Sequence, residues 1–149
     1  TALVSDDPIL IPPGLPAVAG LAYPISSKLE GEGVGAKRIG LFSTGQATEV
    51  VSQWAPNKLL AFKVQHQPAA MEEMSPYRRV HAPHVEGYFL TGETRFDLVP
   101  LSQDRTRLEI TSEHVLRIDP IPYWEPIALL AIWSNVSRVL EDIKAKSET

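Results

Sequence analysis

From Gly35 onward the chain alternates apolar and polar residues with the two-residue period of β-strands. Ala36–Ser43 and Ala47–Trp54 read as a strand pair joined through Thr44-Gly45-Gln46, and Ala55-Pro56-Asn57 reads as the next turn. Leu60, Phe62 and Val64 then alternate with Ala61, Lys63 and Gln65, which predicts a strand with one packed and one wetter face. Tyr88–Pro100 and Thr106–Leu116 form a second pair across the polar turn Leu101–Arg105. In the first of these, Phe96 and Leu98 oppose Arg95 and Asp97. In the second, Leu108 and Ile110 share a parity opposed by Arg107, Glu109, Thr111 and Glu113. Continued along the strand, that parity carries Ser112 and His114 to the apolar side.

The period changes near the C-terminus. Leu129, Ile132, Trp133, Val136, Leu140 and Ile143 recur at three- and four-residue spacing, predicting one long helix over Tyr123–Lys146. Asp119 before Pro120 suits a cap and first turn, Pro126 falls where a missing amide is tolerated, and Lys144 and Lys146 suit the C-terminal end. On this pattern Trp133 belongs to the core stripe that covers the sheet. Pro8, Pro12, Pro13, Pro16 and Pro24 interrupt any regular element near the N-terminus. Residues 1–30 therefore read as a proline-rich arm lying across the domain, with Leu10, Leu15, Leu21 and Tyr23 as anchors, followed by one domain over 31–149. Gly31, Gly33 and Gly35 make a turn; a phosphate-binding loop is disfavoured there because the Lys-Ser/Thr of such loops is absent. Residues 66–87 show no periodicity, and loops of that length often carry function.

At 149 residues the chain has the length of one compact domain, and 44% apolar with 21% charged residues describes an ordinary globular protein with a core of its own. There is no cysteine, which excludes disulfides, thiolate nucleophiles and sulfur-ligated zinc. A formal net charge of -4 gives non-specific nucleic-acid binding no electrostatic support, so nucleic acid is not an expected partner. The longest apolar run, Ile127 to Trp133, is too short to span a membrane. The chain begins at Thr1, so its N-terminus reads as processed, cut or incomplete, with any targeting segment out of view, and the segment itself is expected to be soluble. The cytoplasm is the favoured compartment, and a membrane-attached parent is compatible.

The order of elements is a meander of about five strands closed by a long helix, and here the residues carry a resemblance. Gly33-Val34-Gly35-Ala36, Phe42-Ser43-Thr44-Gly45, Glu49–Trp54 and Leu59-Leu60-Ala61-Phe62, then Gly92–Leu98, Arg105–Glu109, Tyr123-Trp124 and Val139–Lys144, together resemble the START-like (SRPBCC) superfamily, in its polyketide cyclase/dehydrase-like branch. The resemblance covers about residues 31–146. It implies an α+β helix-grip fold, a twisted antiparallel sheet wrapped around the C-terminal helix. The family's usual first strand is either missing or replaced by the arm. The open sheet edge then calls for a cover, from the arm, a second copy in a homodimer or an upstream domain. The resemblance further implies a small hydrophobic molecule, lipid-, polyketide- or aromatic-like, held between helix and sheet.

His114 is the candidate acid/base: imidazole titrates near neutrality, and its parity places it near a cavity. A hydrogen-bonded structural histidine is the alternative. Ser112 shares its face. Tyr88, Tyr123 and Trp124 offer aromatic walls, with Tyr123 and Trp124 at the pocket rim, and Met71 and Met74 suit either a cap on the core, the favoured reading, or an adaptable lid over an apolar ligand. His81 and His84 could close the pocket mouth; His-Ala-Pro-His in a loop is not a metal signature, so no metal and no cofactor are expected. Arg78 and Arg79 read as a solvated loop. The leading function is binding of a small hydrophobic molecule. Cofactor-independent cyclase or dehydratase chemistry through His114, and an accessory interaction domain of a longer protein, are the alternatives.

Overall fold

In a computed structural model of the chain, residues 5–72 and 87–149 are described. A one-turn helix α1 (Leu15–Val18) precedes six strands: β1 (Pro24–Glu30), β2 (Lys37–Phe42), β3 (Gly45–Ala55), β4 (Leu59–His66), β5 (Phe89–Pro100) and β6 (Thr106–Leu116). Helix α2 (Ile121–Ser147) follows. The strands form one antiparallel sheet in the order β1-β2-β3-β4-β5-β6, each paired with its sequence neighbour. The fold is α+β, a six-stranded meander with a long C-terminal helix.

Five strands sit where the alternation placed them. The sixth comes from the arm: Pro24–Glu30 pairs with Lys37–Phe42, so the sheet continues across the expected boundary at residue 30. Proline is tolerated here because Pro24 opens an edge strand, where no ladder hydrogen bond depends on its nitrogen. The turn between β1 and β2 uses Gly31, Gly33 and Gly35 at φ of 93°, 74° and 90°, a region that side chains with a Cβ disfavour.

The rest of the arm meets the expected apolar anchoring only in part: Leu21 and Tyr23 are half-buried. Leu10 and Leu15 are 80% and 84% exposed. The arm is instead strapped to α2 through its backbone. Arg138 donates to the carbonyls of Ile11 and Pro24, and its guanidinium lies 5.4 Å from the Tyr23 ring centroid. Asn135 donates to the Ala22 carbonyl at 2.9 Å, and the Leu10 amide donates to Asp142 at 3.3 Å. Lys146, itself paired with Asp142 at 2.7 Å, reaches the Asp7 and Pro8 carbonyls. Proline removes amide donors but not carbonyls, so a proline-rich strap is best gripped by cationic donors.

Helix α2 begins two residues earlier than the periodicity indicated, without the expected Asp119 cap. The Pro120 carbonyl accepts from the Tyr123 and Trp124 amides, and no side chain caps the end. The buried core is Ala36, Val51, Leu60, Phe62 and Phe96, with Leu29, Trp54, Leu108, Ile110 and Ile143 packed against it. Trp133 is not in it. It is 69% exposed, and with Tyr123, Leu129 and Leu130 it forms an outward apolar stripe. The N-terminal half of α2 is apolar around most of its circumference, so hydrophobic spacing alone did not identify the sheet-facing side.

Candidate functional site: a cavity between sheet and helix

Between the sheet and the N-terminal half of α2 lies a cavity of about 510 Å³, within the range of small-molecule sites. Its floor is sheet: Phe62 and Val64 from β4, Phe89, Thr91, Thr94 and Phe96 from β5, and Ile110, Ser112, His114 and Leu116 from β6. Its roof is helix: Trp124, Ile127, Ala128, Ala131, Ile132 and Val136. The small Ala128 and Ala131 keep the backbone of α2 from being masked by bulk, leaving volume beneath it. Leu21 and Met71, joined by an isolated bridge, contribute wall from the arm and from the loop after β4.

Besides Asn135 of α2, which is engaged with the Ala22 carbonyl, polar side chains of the sheet interrupt this apolar lining at two places. The first is on β5 and β6, where a register shift between Thr91 and Thr94 turns both threonines toward the cavity. Thr94 and Ser112 share a hydrogen bond at 2.8 Å; Thr91 Oγ1 and His114 Nδ1 share one at 3.2 Å. Gln67 locks the bulge by accepting from the Thr91 amide at 2.8 Å and donating to the Phe89 carbonyl. His114 stacks on Phe89 with ring centroids 5.1 Å apart. Burial holds its imidazole below the ordinary value of 6.5, hence neutral at physiological pH. Its Nε2 is buried and has no hydrogen-bond partner among the described residues. That is an unusual state for a buried polar atom and a common one for a ligand-facing group.

The second place lies across the sheet. Arg38 on β2 and Glu49 on β3 are directly paired in register, both line the cavity, and the half-buried Arg38 donates to the buried Glu49 in an ion pair. Phe62 carries the guanidinium over its ring, 4.5 Å from the centroid.

Of the residues expected at the site, Ser112, His114, Tyr88, Trp124 and Met71 line the cavity. Tyr123 does not: it is 62% exposed and touches Trp124 edge-on. One residue step turns a helix by about 100°, so adjacent aromatics cannot both face inward. Met74, His81 and His84, with Arg78 and Arg79, lie outside the described residues. Arg38, Glu49, Thr91 and Thr94 were missed. For Arg38 and Glu49 a signal existed: Glu49 shares strand parity with Ala47 and Val51, so a carboxylate stands among core positions. For Thr91 there was none, because a bulge resets parity without altering composition.

Among the described residues no cluster of His, Asp and Glu could hold a metal ion, and no helix is long and apolar enough to cross a membrane. Comparison with known proteins returns no match, whether to protein-family models, to curated sequences or to solved structures. What the cavity takes is therefore a question for its own chemistry.

Proposed function

We propose that the chain is a START-like helix-grip domain that binds a small, mainly apolar molecule in this cavity. The observation that carries the reading is an apolar chamber of ligand size containing a buried imidazole nitrogen with no partner among the described residues. Leaving such an atom unmade costs about 1–3 kcal/mol, a penalty that a ligand hydroxyl or carbonyl at Nε2 removes. Apolar walls supply affinity through burial, and the Thr91–His114 and Thr94–Ser112 pairs orient the polar end. Native mass spectrometry of freshly purified protein, followed by denaturing extraction, tests this. A stoichiometric small apolar molecule is the expected result. Failure of the protein to take up any neutral apolar probe at micromolar concentration would remove the proposal.

A second reading, cofactor-independent acid/base chemistry, draws on the same nitrogen. A neutral imidazole held by Thr91 can take a proton at Nε2 from an acidic carbon or hydroxyl of a bound polyketide-like or aromatic substrate. His114→Gln separates the two: loss of turnover with binding retained supports catalysis, whereas loss of affinity alone supports binding.

A further inference from the structure

The proposed ligand site also contains a charge arrangement that restricts what can enter it. Among the described residues lining the cavity, Arg38 and Glu49 carry the only formal charges, and they face each other across neighbouring strands. Their side chains retain 21% and 7% exposure, so water screens the pair poorly. The sum over these described lining residues is zero, since the remaining titratable wall residue among them in the sheet, His114, is neutral.

We infer that the cavity selects an uncharged amphipathic molecule, with a hydroxyl, carbonyl or carboxamide end seated against the Arg38–Glu49 pair, and that it discriminates against fatty-acid-like anions and long-chain amines. This rests on the ligand-binding reading above.

The physical reason is neutralisation before the ligand arrives. A lone arginine in an apolar chamber invites a carboxylate; this one already has Glu49. A second carboxylate drawn to Arg38 would stand beside the first in a desolvated space, and like charges there force one group to take up a proton. An ammonium drawn to Glu49 meets the guanidinium in the same way. An uncharged group escapes both conflicts. A hydroxyl or carboxamide can donate to the Glu49 carboxylate and accept from the Arg38 guanidinium at once, because donor and acceptor sit side by side. The pair is also preorganised. Both residues project from paired strands, and the Phe62 ring lies beneath the guanidinium, so little ordering is required when a ligand arrives.

The second polar place adds length. Glu49 on β3 and Thr91 on β5 are separated by β4, about 10 Å across the sheet. Phe62 and Val64 of β4 supply the apolar ground between them. A molecule that engages both places has a body of at least this length with a polar group toward each end.

The test is competition against a neutral solvatochromic dye by dodecanol, dodecanamide, dodecanoate and dodecylamine at neutral pH, each below its micellar concentration. The wild-type series decides the matter without any variant. The alcohol or amide should displace dye at concentrations roughly tenfold or more below those needed for either ion. Dodecanoate or dodecylamine equal to or tighter than the alcohol overturns the inference while leaving the ligand-binding reading standing. If the dye does not bind and no probe is taken up, the binding reading itself falls. Glu49→Gln then assigns the effect: with a net positive chamber it should bind dodecanoate at least as well as dodecanol. Retained preference for the alcohol in folded E49Q would show that the pair does not set the selectivity.

Discussion

The two halves of helix α2 are built on opposite plans. Its C-terminal half is closed: Ile143 meets the core of Val51, Leu60 and Phe96, and Arg138, Asp142 and Lys146 grip the arm from one polar ridge. Its N-terminal half is open. Ala128, Ala131 and Ile132 stand over a cavity, and Leu129, Leu130 and Trp133 project to the outside. One half is where stability resides, the other is where volume is kept available, and a single continuous helix supports both. Stability concentrated at one end lets the other end tolerate an unfilled chamber.

Substitutions can break this contrast. Leu60→Ala at the closed end should destabilise by about 2–5 kcal/mol, measured by denaturant unfolding, because a packed core collapses poorly around a void. Ile132→Ala over the cavity should lose much less, about 1 kcal/mol, since its neighbours already face empty space, and its larger effect should be on ligand uptake. Equal losses at the two positions would mean that the ends do not differ.

Arg138→Met comes next, at about 2–3 kcal/mol, because two arm carbonyls lose charge-assisted donors and Asp142 loses a nearby cation. Its signature is local. Limited proteolysis should cut within residues 5–23 before the sheet opens, and unaltered cleavage would show that the strap is held by other contacts.

A smaller effect follows from His114. Its folded-state pKa lies below the unfolded value of 6.5, so the unfolded chain binds the extra proton first as pH falls. Stability is thus complete above pH 6.5, declines below it, and levels off once the folded protein is protonated too. His114→Gln should flatten this part of the profile, with unfolding followed between neutral and mildly acidic pH. Smallest of all, Trp133→Ser should shift stability by no more than about 0.5 kcal/mol, since the indole is 69% exposed. A loss comparable to that of Leu60→Ala would place Trp133 in a packed environment.

Strand positions were legible because alternation is a local property: β2 to β6 and the inward parity of Ile110, Ser112 and His114 could be read residue by residue. Length and type of α2 were legible for the same reason. The rotation of α2 was not, because its first half is apolar on nearly every side and the choice depends on what it packs against. Nor was the role of Pro24–Glu30, whose prolines argue locally against a strand while its partner β2 supplies the hydrogen bonds that make one.

The amino-acid sequence by itself thus determined the meander, the terminal helix and the placement of a histidine among apolar neighbours, since each follows from spacing within a short window. Only the tertiary structure decided that Arg38 and Glu49 meet, that a bulge turns Thr91 toward His114, and that Arg138 holds an arm more than a hundred residues away. Those pairings depend on register and on distances between strands and helix, which no single segment encodes.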